Sequence, residues 1–177
     1  MTTIDPNTTL TEATNYLREN FDKGAKCPCC GQFVKRYKRK LNASMAYVLI
    51  LIDRWDRCPM VGDYVQGGEY LHVPSYLAWS ARRNPVMAAA IRGDWAKLKH
   101  WNLLAEWDTK RDDGSKRAGY YKMTSLGRAF VKGEIHAAAH IYMYNEDAQV
   151  DPDAPLISIR DALGVKFSYD ELMKETT

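Results

Sequence analysis

The stretch from Asp94 to Gly133 decides the predicted fold, and it reads DWAKLKHWNLLAEWDTKRDDGSKRAGYYKMTSLGRAFVKG. Asp94 is a residue type that commonly caps the start of a helix. The residues after it place Trp95, Leu98 and Trp101 on one apolar side, which is the pattern of an amphipathic helix. We therefore predict a short helix that begins after Asp94 and packs inward through its tryptophans.

Two β segments follow this helix. Residues 103–107 and 120–123 are rich in apolar and aromatic side chains, and an Asp-Gly pair (113–114) lies between them. Such a pair between two β segments is a strong signal for a turn. Thr124 or Ser125 can then cap the next helix. The predicted order is helix, strand, charged loop, strand and helix.

This order resembles a winged-helix domain of the MarR-like kind. In that family a helix ends in a short apolar step, a β-hairpin wing follows, and a helix that opens with T-x-x-G-R closes the unit. The corresponding parts of this chain are WNLL (101–104) and TSLGR (124–128). The resemblance implies an α+β winged-helix domain over residues 42–135. It leaves both DNA and protein open as partners, because the fold hosts both kinds of binder.

Two further segments flank the winged-helix segment. Residues 1–41 are predicted to hold a helix, a cysteine turn and a basic run, and residues 136–177 a β and helical extension that packs on the same core. Thr9 and Glu12 match a capping box for the first helix. From about residue 42 to about residue 57 the chain is apolar nearly all round, as expected of a central core helix.

Composition and charge narrow the function classes. The 177 residues are 46% apolar and 27% charged, as is typical of a soluble globular protein. The longest apolar run has eight residues, whereas a membrane-spanning helix needs about 20. The N-terminus, MTTIDPNTTLTE, lacks the basic and apolar parts of an export signal. We expect a cytoplasmic protein without a membrane segment, whose net charge of +3 alone does not indicate nucleic acid.

Positive charge is clustered along the chain. Residues 35–40 carry five cations in six positions around Tyr37, which indicates either a solvated surface segment or an arm that contacts phosphates. A helix over residues 86–101 would show small side chains and cations on the side opposite its tryptophans, suited to close approach to a groove. The wing tip adds more cations. The residues predicted to contact nucleic acid are Arg92, Lys97, Lys99, His100, Lys110, Arg111, Lys116, Arg117, Lys38 and Arg39.

A cysteine turn, KCPCCG (26–31), carries the C-P-x-C-G pattern. Such a turn directs backbone N–H groups at the sulfurs, and the glycine permits a left-handed conformation. The turn resembles half of a structural zinc knuckle, with Cys27 and Cys30 as metal ligands. The candidates for the two remaining ligands are Cys29, Cys58, His72, His100, His136 and His140.

The spacing of His136 and His140 leaves two interpretations open. On a helix the two imidazoles would share one face and could bind one ion. On a strand the same residues would lie about 13 Å apart and could not. Participation of this pair in a metal site therefore requires a helix at this position.

Catalytic motifs are missing from the sequence, which has no G-x-S-x-G, no H-E-x-x-H, no phosphate-binding glycine loop and no dinucleotide fingerprint. The order of cysteine turn, basic run, apolar helix and wing resembles small proteins encoded by bacteriophages, which implies action in the bacterial cytoplasm. We predict a non-enzymatic winged-helix regulator that binds DNA and uses no small-molecule substrate. The alternative is a phage protein that binds and inhibits a host protein complex, such as a defence system, through arginine and aromatic side chains.

Overall fold

The computed structural model describes residues 7–57, 65–66, 70–83, 94–110, 113–115, 118–144 and 147–174. It combines helices with small antiparallel sheets, which confirms the predicted α+β class. The chain divides into two compact units. Unit 1 comprises Met1–Lys40 with His140–Pro152, and unit 2 comprises Leu41–Ala139 with Asp153–Thr177. Residues 136–177, predicted as one extension, contribute to both units.

The described helices and strands follow one another in chain order. They are α1 (Leu10–Asn20), β1 (Ala25–Lys26), β2 (Phe33–Val34), β3 (Tyr37–Lys40), α2 (Ala43–Arg57), β4 (Val65–Gln66), β5 (Tyr70–His72), α3 (Val73–Arg83), a 3-10 helix (Trp95–Trp101), β6 (Leu104–Glu106), β7 (Tyr120–Met123), α4 (Ser125–Val131), β8 (Ala137–Ala138), β9 (His140–Tyr144), β10 (Asp147–Val150), β11 (Leu156–Ile157), α5 (Ile159–Leu163) and α6 (Tyr169–Lys174). Among these helices, none combines the length and apolarity needed to cross a membrane.

Helix α1 of unit 1 begins at the predicted capping box. The Thr9 hydroxyl accepts a hydrogen bond from the Glu12 N–H, and a Glu12 carboxylate oxygen accepts one from the Thr9 N–H at 2.9 Å. The two bonds satisfy backbone donors that a helix start leaves unpaired. The Thr9 backbone donor also lowers the pKa of Glu12, because it stabilises the charged carboxylate.

Unit 1 also contains a two-stranded sheet of β1 and β2 and a three-stranded antiparallel sheet. Its strand order is β10-β9-β3, so β3 lies at one edge. Ile141 and Met143 of the central strand are buried. The basic run forms β3, which pairs with a strand about a hundred residues further along the chain.

Helix α2 supplies the core of unit 2. Its start is capped by Asn42, whose side-chain oxygen accepts a hydrogen bond from the Met45 N–H at 3.1 Å. From Met45 to Ile52 every side chain is buried, with at most 4% of its surface exposed. A helix that is apolar nearly all round must be enclosed on all sides, and the prediction of a core helix over this segment is confirmed.

A four-stranded antiparallel sheet with the order β4-β5-β7-β6 also belongs to unit 2. Strands β6 and β7 pair with Leu104 opposite Met123, which confirms the hairpin predicted over residues 103–123. The Asp113 carboxylate accepts a hydrogen bond from the Ser115 N–H at 2.9 Å, as expected for a turn at the Asp-Gly pair. Helix α4 follows and is capped by Thr124.

The helix predicted after Asp94 is a 3-10 helix over Trp95–Trp101 rather than an α-helix. Residues at i and i+3 eclipse one another in a 3-10 helix, so the spacing of Trp95, Leu98 and Trp101 by three gives a single side. Leu98 and Trp101 are buried as predicted, whereas Trp95 is only half-buried. The Asp94 side chain makes no capping bond, and the helix ends at Asn102, which has a φ of 56°.

The last part of unit 2 begins with a short pairing of β8 with β11. Ser158 and Asp161 then form the capping box of α5, which stops at Gly164. The hydroxyl of Tyr169 in α6 donates to the Val131 carbonyl at 2.8 Å. The final short helices are therefore tied to α4.

Candidate nucleic-acid interface

The predicted interface on the helix and wing is only partly within the described ranges. Four of its cations lie outside them, and these are Arg92, Arg111, Lys116 and Arg117. Lys97, Lys99 and His100 lie on the 3-10 helix and are half-buried, whereas Lys110, which follows β6, is exposed. The described candidates on the helix are therefore partly shielded from solvent, whereas Lys110 is not.

The helical lysines each have a carboxylate partner. Lys97 Nζ lies 2.7 Å from Asp94 Oδ1, and Lys99 Nζ lies 2.5 Å from Glu106 Oε2. Glu106 also accepts a hydrogen bond at 3.0 Å from the hydroxyl of Tyr121. Burial and this carboxylate raise the pKa of Tyr121, so the phenol stays a donor. A phosphate that approached these lysines would have to compete with the carboxylates they already contact.

Strand β3 presents a different surface, because all four of its residues are exposed. Antiparallel pairing with β9 places Lys38 opposite Tyr142 and Lys40 opposite His140. Since side chains alternate between the faces of a strand, Lys38 and Lys40 lie on one face. Tyr37 and Arg39 lie on the other, next to Met143 and Ile141. The basic edge strand therefore carries positive charge on both faces of the sheet.

Cations and aromatic rings alternate on this edge. Lys35 and Arg39 lie 5.8 Å and 5.6 Å from the centre of the Tyr37 ring. Arg36 lies 4.2 Å from the centre of the Tyr142 ring, and Lys38 lies 5.9 Å from it. These distances are within the range of cation–π attraction. The aromatic rings thus hold the cations in place without neutralising their charge.

The cations of residues 35–40 differ in whether they are paired. Arg36 donates to both carboxylate oxygens of Asp22, one of them at 3.0 Å, and the guanidinium lowers the pKa of that carboxyl. Lys38, Arg39 and Lys40 make no ion pair with any carboxylate in the part of the chain that the structure describes. These three cations of β3 are therefore available to an anionic partner.

A small cleft of about 90 Å³ opens beside the sheet. Most of its lining is aromatic or polar, and the residues concerned are Phe21, Arg36, Tyr142, Met143, Tyr144, Asp147 and Gln149. Pockets for drug-sized ligands or cofactors usually measure roughly 300–1,000 Å³. The cleft is therefore small for a metabolite. On one side of it, the guanidinium of Arg36 lies next to the ring of Tyr142.

The cysteine turn is closed by a backbone hydrogen bond. The Gly31 N–H donates to the Cys27 carbonyl at 2.8 Å, and Gly31 has a φ of 73°. Backbone N–H groups of Cys30 and Cys29 donate to the Cys27 sulfur and lower the pKa of that thiol. None of these three cysteines forms a disulfide. The N–H donors therefore favour the thiolate form of Cys27, which is the form that binds metals.

The remaining zinc ligands are not assembled by the described residues, among which no three His, Cys, Asp or Glu side chains form a metal-binding group. Cys58 lies outside those residues. The Cys29 thiol donates to the Thr8 carbonyl at 3.4 Å, and His72 Nδ1 lies 2.7 Å from Ser75 Oγ. His100 is half-buried on the 3-10 helix.

The helical interpretation of the His136 and His140 pair is wrong. Residues 137–138 and 140–144 are strands, so the two rings do not share a helix face. His140 is buried, and its Nε2 lies 3.0 Å from Asp151 Oδ2. His136 is exposed. The β-rich sequence after His140 overrides the helical spacing of the two histidines.

Tyr142 is the feature of this surface that the sequence analysis missed. A β-rich segment was predicted over residues 140–144, but nothing in the sequence indicated that it pairs with the basic run.

Comparisons with protein-family models, with curated proteins and with solved structures find no match to this chain. Its function has to be inferred from the residues themselves.

Proposed function

We propose that this chain is a non-enzymatic nucleic-acid-binding regulator, encoded by a bacteriophage and acting in the bacterial cytoplasm, with DNA as the expected partner. The observation that carries the proposal is strand β3, on which Lys38, Arg39 and Lys40 are all exposed. Clustered cations bind phosphates mainly by releasing counterions, and this term dominates non-specific affinity. Because the net charge is only +3, the clustering of cations on β3 indicates an anionic partner better than the total charge does.

The winged-helix assignment belongs to the same proposal and concerns unit 2. It is supported by the order of 3-10 helix, β6, β7 and α4, which follows the helix, wing and closing helix of that family. The wing would contact a phosphate backbone through Lys110, together with Arg111, Lys116 and Arg117. The ion pairs of Lys97 and Lys99 make the helix a weaker part of this interface, and Arg92 and His100 stay proposed contacts.

A structural zinc ion bound by Cys27 and Cys30 is also part of the proposal. Its support is the knuckle geometry of residues 27–31, in which N–H groups are directed at a sulfur. Bound zinc would hold this turn rigid ahead of the basic strand, since structural zinc binding is coupled to folding. The ion would have no catalytic role.

The test is a binding titration with a labelled oligonucleotide at low salt, followed by fluorescence anisotropy. The variant Lys38→Ala, Arg39→Ala, Lys40→Ala removes three charges from β3. Its matched control, Lys132→Ala, Lys166→Ala, Lys174→Ala, removes three charges from exposed sites on unit 2. We expect the β3 variant to lose at least tenfold in affinity, to a similar extent for every sequence, because phosphate contacts carry no sequence information.

Two results would contradict the proposal. One is equal loss of affinity in both triple variants, which would indicate an effect of net charge alone. The other is failure of the wild-type protein to bind any oligonucleotide at low salt.

A second candidate function is supported by exposed apolar side chains on unit 2. Leu126, Leu156 and Val165 are 48%, 68% and 109% exposed, respectively. Exposed apolar side chains that form one patch mark protein–protein contacts, whereas scattered ones are ordinary. An inhibitor of a host protein complex would use such a patch, and one host complex would then co-purify with the wild-type chain but not with a Leu156→Asp, Val165→Asp variant.

A further inference from the structure

We propose that the edge of the β3–β9 sheet binds single-stranded nucleic acid, with the Tyr37 ring stacking on a base and the neighbouring cations contacting phosphates. This inference rests on the proposed nucleic-acid-binding function and specifies its ligand. The shared chemistry is a flexible chain of phosphates with accessible bases, which both DNA and RNA supply.

The first argument is the composition of the edge strand. Lysines on an edge strand are also a common protection against pairing with other chains, so the cations alone do not identify a ligand. Tyr37 does not fit that protective role, because an aromatic residue on an exposed edge favours association. Its side chain is nevertheless 47% exposed at the centre of the basic run. An exposed aromatic ring among cations is the combination that single-strand binding surfaces use.

The second argument is the position of the cations around the ring. Lys35 and Arg39 lie 5.8 Å and 5.6 Å from the ring centre of Tyr37. A base that stacked on the open part of this ring would bring the phosphates on its two sides towards these cations. Lys38 and Lys40 project from the opposite face of the same strand. They extend the positive charge along the path that the next phosphates would follow.

The third argument is the shape of the surface. The major groove of a duplex is about 12 Å wide and admits a helix or a two-stranded ribbon. Three strands spaced by about 4.8 Å span roughly 10 Å between the outer backbones alone, and side chains widen the sheet further. In a duplex the bases are also stacked on each other, so Tyr37 would find none to contact. A single strand meets both requirements.

The charge and the exposed ring of β3 therefore both indicate a single-stranded nucleic acid. The lysines of the 3-10 helix give no such indication, because they are paired with carboxylates. Arg36 offers a further planar surface, because its guanidinium lies 4.2 Å from the centre of the Tyr142 ring. Bases stack on arginine planes as well as on aromatic rings in single-strand complexes. Arg36 would thus offer a second stacking surface.

The experiment measures the affinity of the full chain for four probes of about 12 nucleotides, a length within known single-strand site sizes. The probes are a thymine DNA strand, a uracil RNA strand, a DNA duplex and an abasic DNA strand that has phosphates without bases. The variants are Tyr37→Leu, which removes the ring, and Tyr37→Phe, which keeps it.

We expect the wild-type protein to bind at least one of the single strands with bases more tightly than the duplex. Tyr37→Leu should weaken that binding about 5- to 100-fold, as loss of one stacked base does. Tyr37→Phe should bind within about twofold of the wild type, and the abasic strand should not distinguish the variants. Preference for the uracil or the thymine strand identifies RNA or DNA as the source.

Other outcomes would overturn the inference, and they separate it from the proposed function. Tighter binding to the duplex, with no effect of Tyr37→Leu, removes the single-strand assignment and leaves nucleic-acid binding intact. Equal weakening of the abasic strand by Tyr37→Leu removes stacking as the reason. Absence of binding to all four probes at low salt rejects the proposed function together with the inference.

Discussion

Replacing Gly127 with alanine tests how closely helix α4 packs against the chain before the wing. Gly127 is buried inside α4, and its N–H donates to the Thr124 hydroxyl at 2.9 Å. A Cβ atom at this position would lie 2.2 Å from the Leu103 carbonyl oxygen and 2.5 Å from the sulfur of Met123. The first of these contacts is with backbone, which cannot rotate away as a side chain can.

Two opposing effects set the magnitude of this change. Helix propensity favours alanine over glycine by about 1 kcal/mol. Overpacking costs about 1–3 kcal/mol, and a backbone overlap falls at the upper end of that range. Moving α4 outward would also stretch the bonds of 3.3 Å and 3.1 Å that the Thr124 N–H and hydroxyl donate to the Leu103 carbonyl. We therefore expect Gly127→Ala to lower the free energy of unfolding by about 2 kcal/mol.

The assay is urea unfolding followed by tryptophan fluorescence. All five tryptophans lie in unit 2, so the signal reports on the unit that contains α4. With a dependence of about 2 kcal/mol per molar urea, the midpoint should fall by about 1 M. Leu126→Ala is the control, because Leu126 is the neighbouring helical residue and is 48% exposed. It should cost less than about 1 kcal/mol.

A Gly127→Ala protein as stable as the wild type, or more stable, would show that propensity outweighs the overlap. The close packing of α4 against Leu103 would then be wrong.

Three further predictions concern the cap, a carboxyl and the cysteines. Thr124→Ala should cost about 1 kcal/mol in the same unfolding assay, because it removes the N-cap of α4, and an unchanged midpoint would contradict this. Hydrogen bonds from Ser158 lower the pKa of Asp161 below the usual aspartate value of 3.8, so the charged carboxylate stabilises the folded protein at neutral pH. This stability is lost as the pH falls below 3.8. Carboxyl titration by NMR should give a midpoint below 3.8 for Asp161, and a midpoint at or above 3.8 would refute the cap. Protein purified without chelators should carry about one zinc per chain by elemental analysis, and Cys27→Ser or Cys30→Ser should abolish it; metal-free wild-type protein would remove the site.

Local sequence signals indicate the starts of α1 and α5, whereas Asp94 makes no capping bond. Thr9 with Glu12, and Ser158 with Asp161, form capping boxes as their spacing indicates. These signals succeed because the bonds they describe join residues three positions apart, so no tertiary information is needed. The same holds for the Asp-Gly turn of the wing and for the apolar run of α2.

The spacing of apolar residues after Asp94 was interpreted as that of an ordinary helix, whereas the segment is a 3-10 helix. Apolar residues at 95, 98 and 101 recur at intervals of three, which matches 3.0 residues per turn better than 3.6. A three-residue interval is also part of the α-helical pattern, so these residues alone do not distinguish the two kinds of helix. Asn102 in a left-handed conformation then stops the helix after seven residues.

The pairing of β3 with β9 could not be predicted from the sequence. Lys38 and Tyr142 are more than a hundred residues apart, and their register depends on how the chain between them folds. The cation–π contacts of Arg36 and Lys38 with Tyr142 follow from that register. The sequence therefore indicates the charge of the candidate interface, while its aromatic partner on β9 becomes visible only in the structure.

The salt dependence of binding tests the central claim most directly. The logarithm of the association constant for a thymine strand, plotted against the logarithm of salt concentration, has a slope of about −0.7 per phosphate contacted. Replacing Lys38, Arg39 and Lys40 with alanine should make the slope shallower by about two. The control that replaces Lys132, Lys166 and Lys174 should keep the wild-type slope. Equal slopes in the wild-type protein and the β3 variant would contradict nucleic-acid binding by this strand.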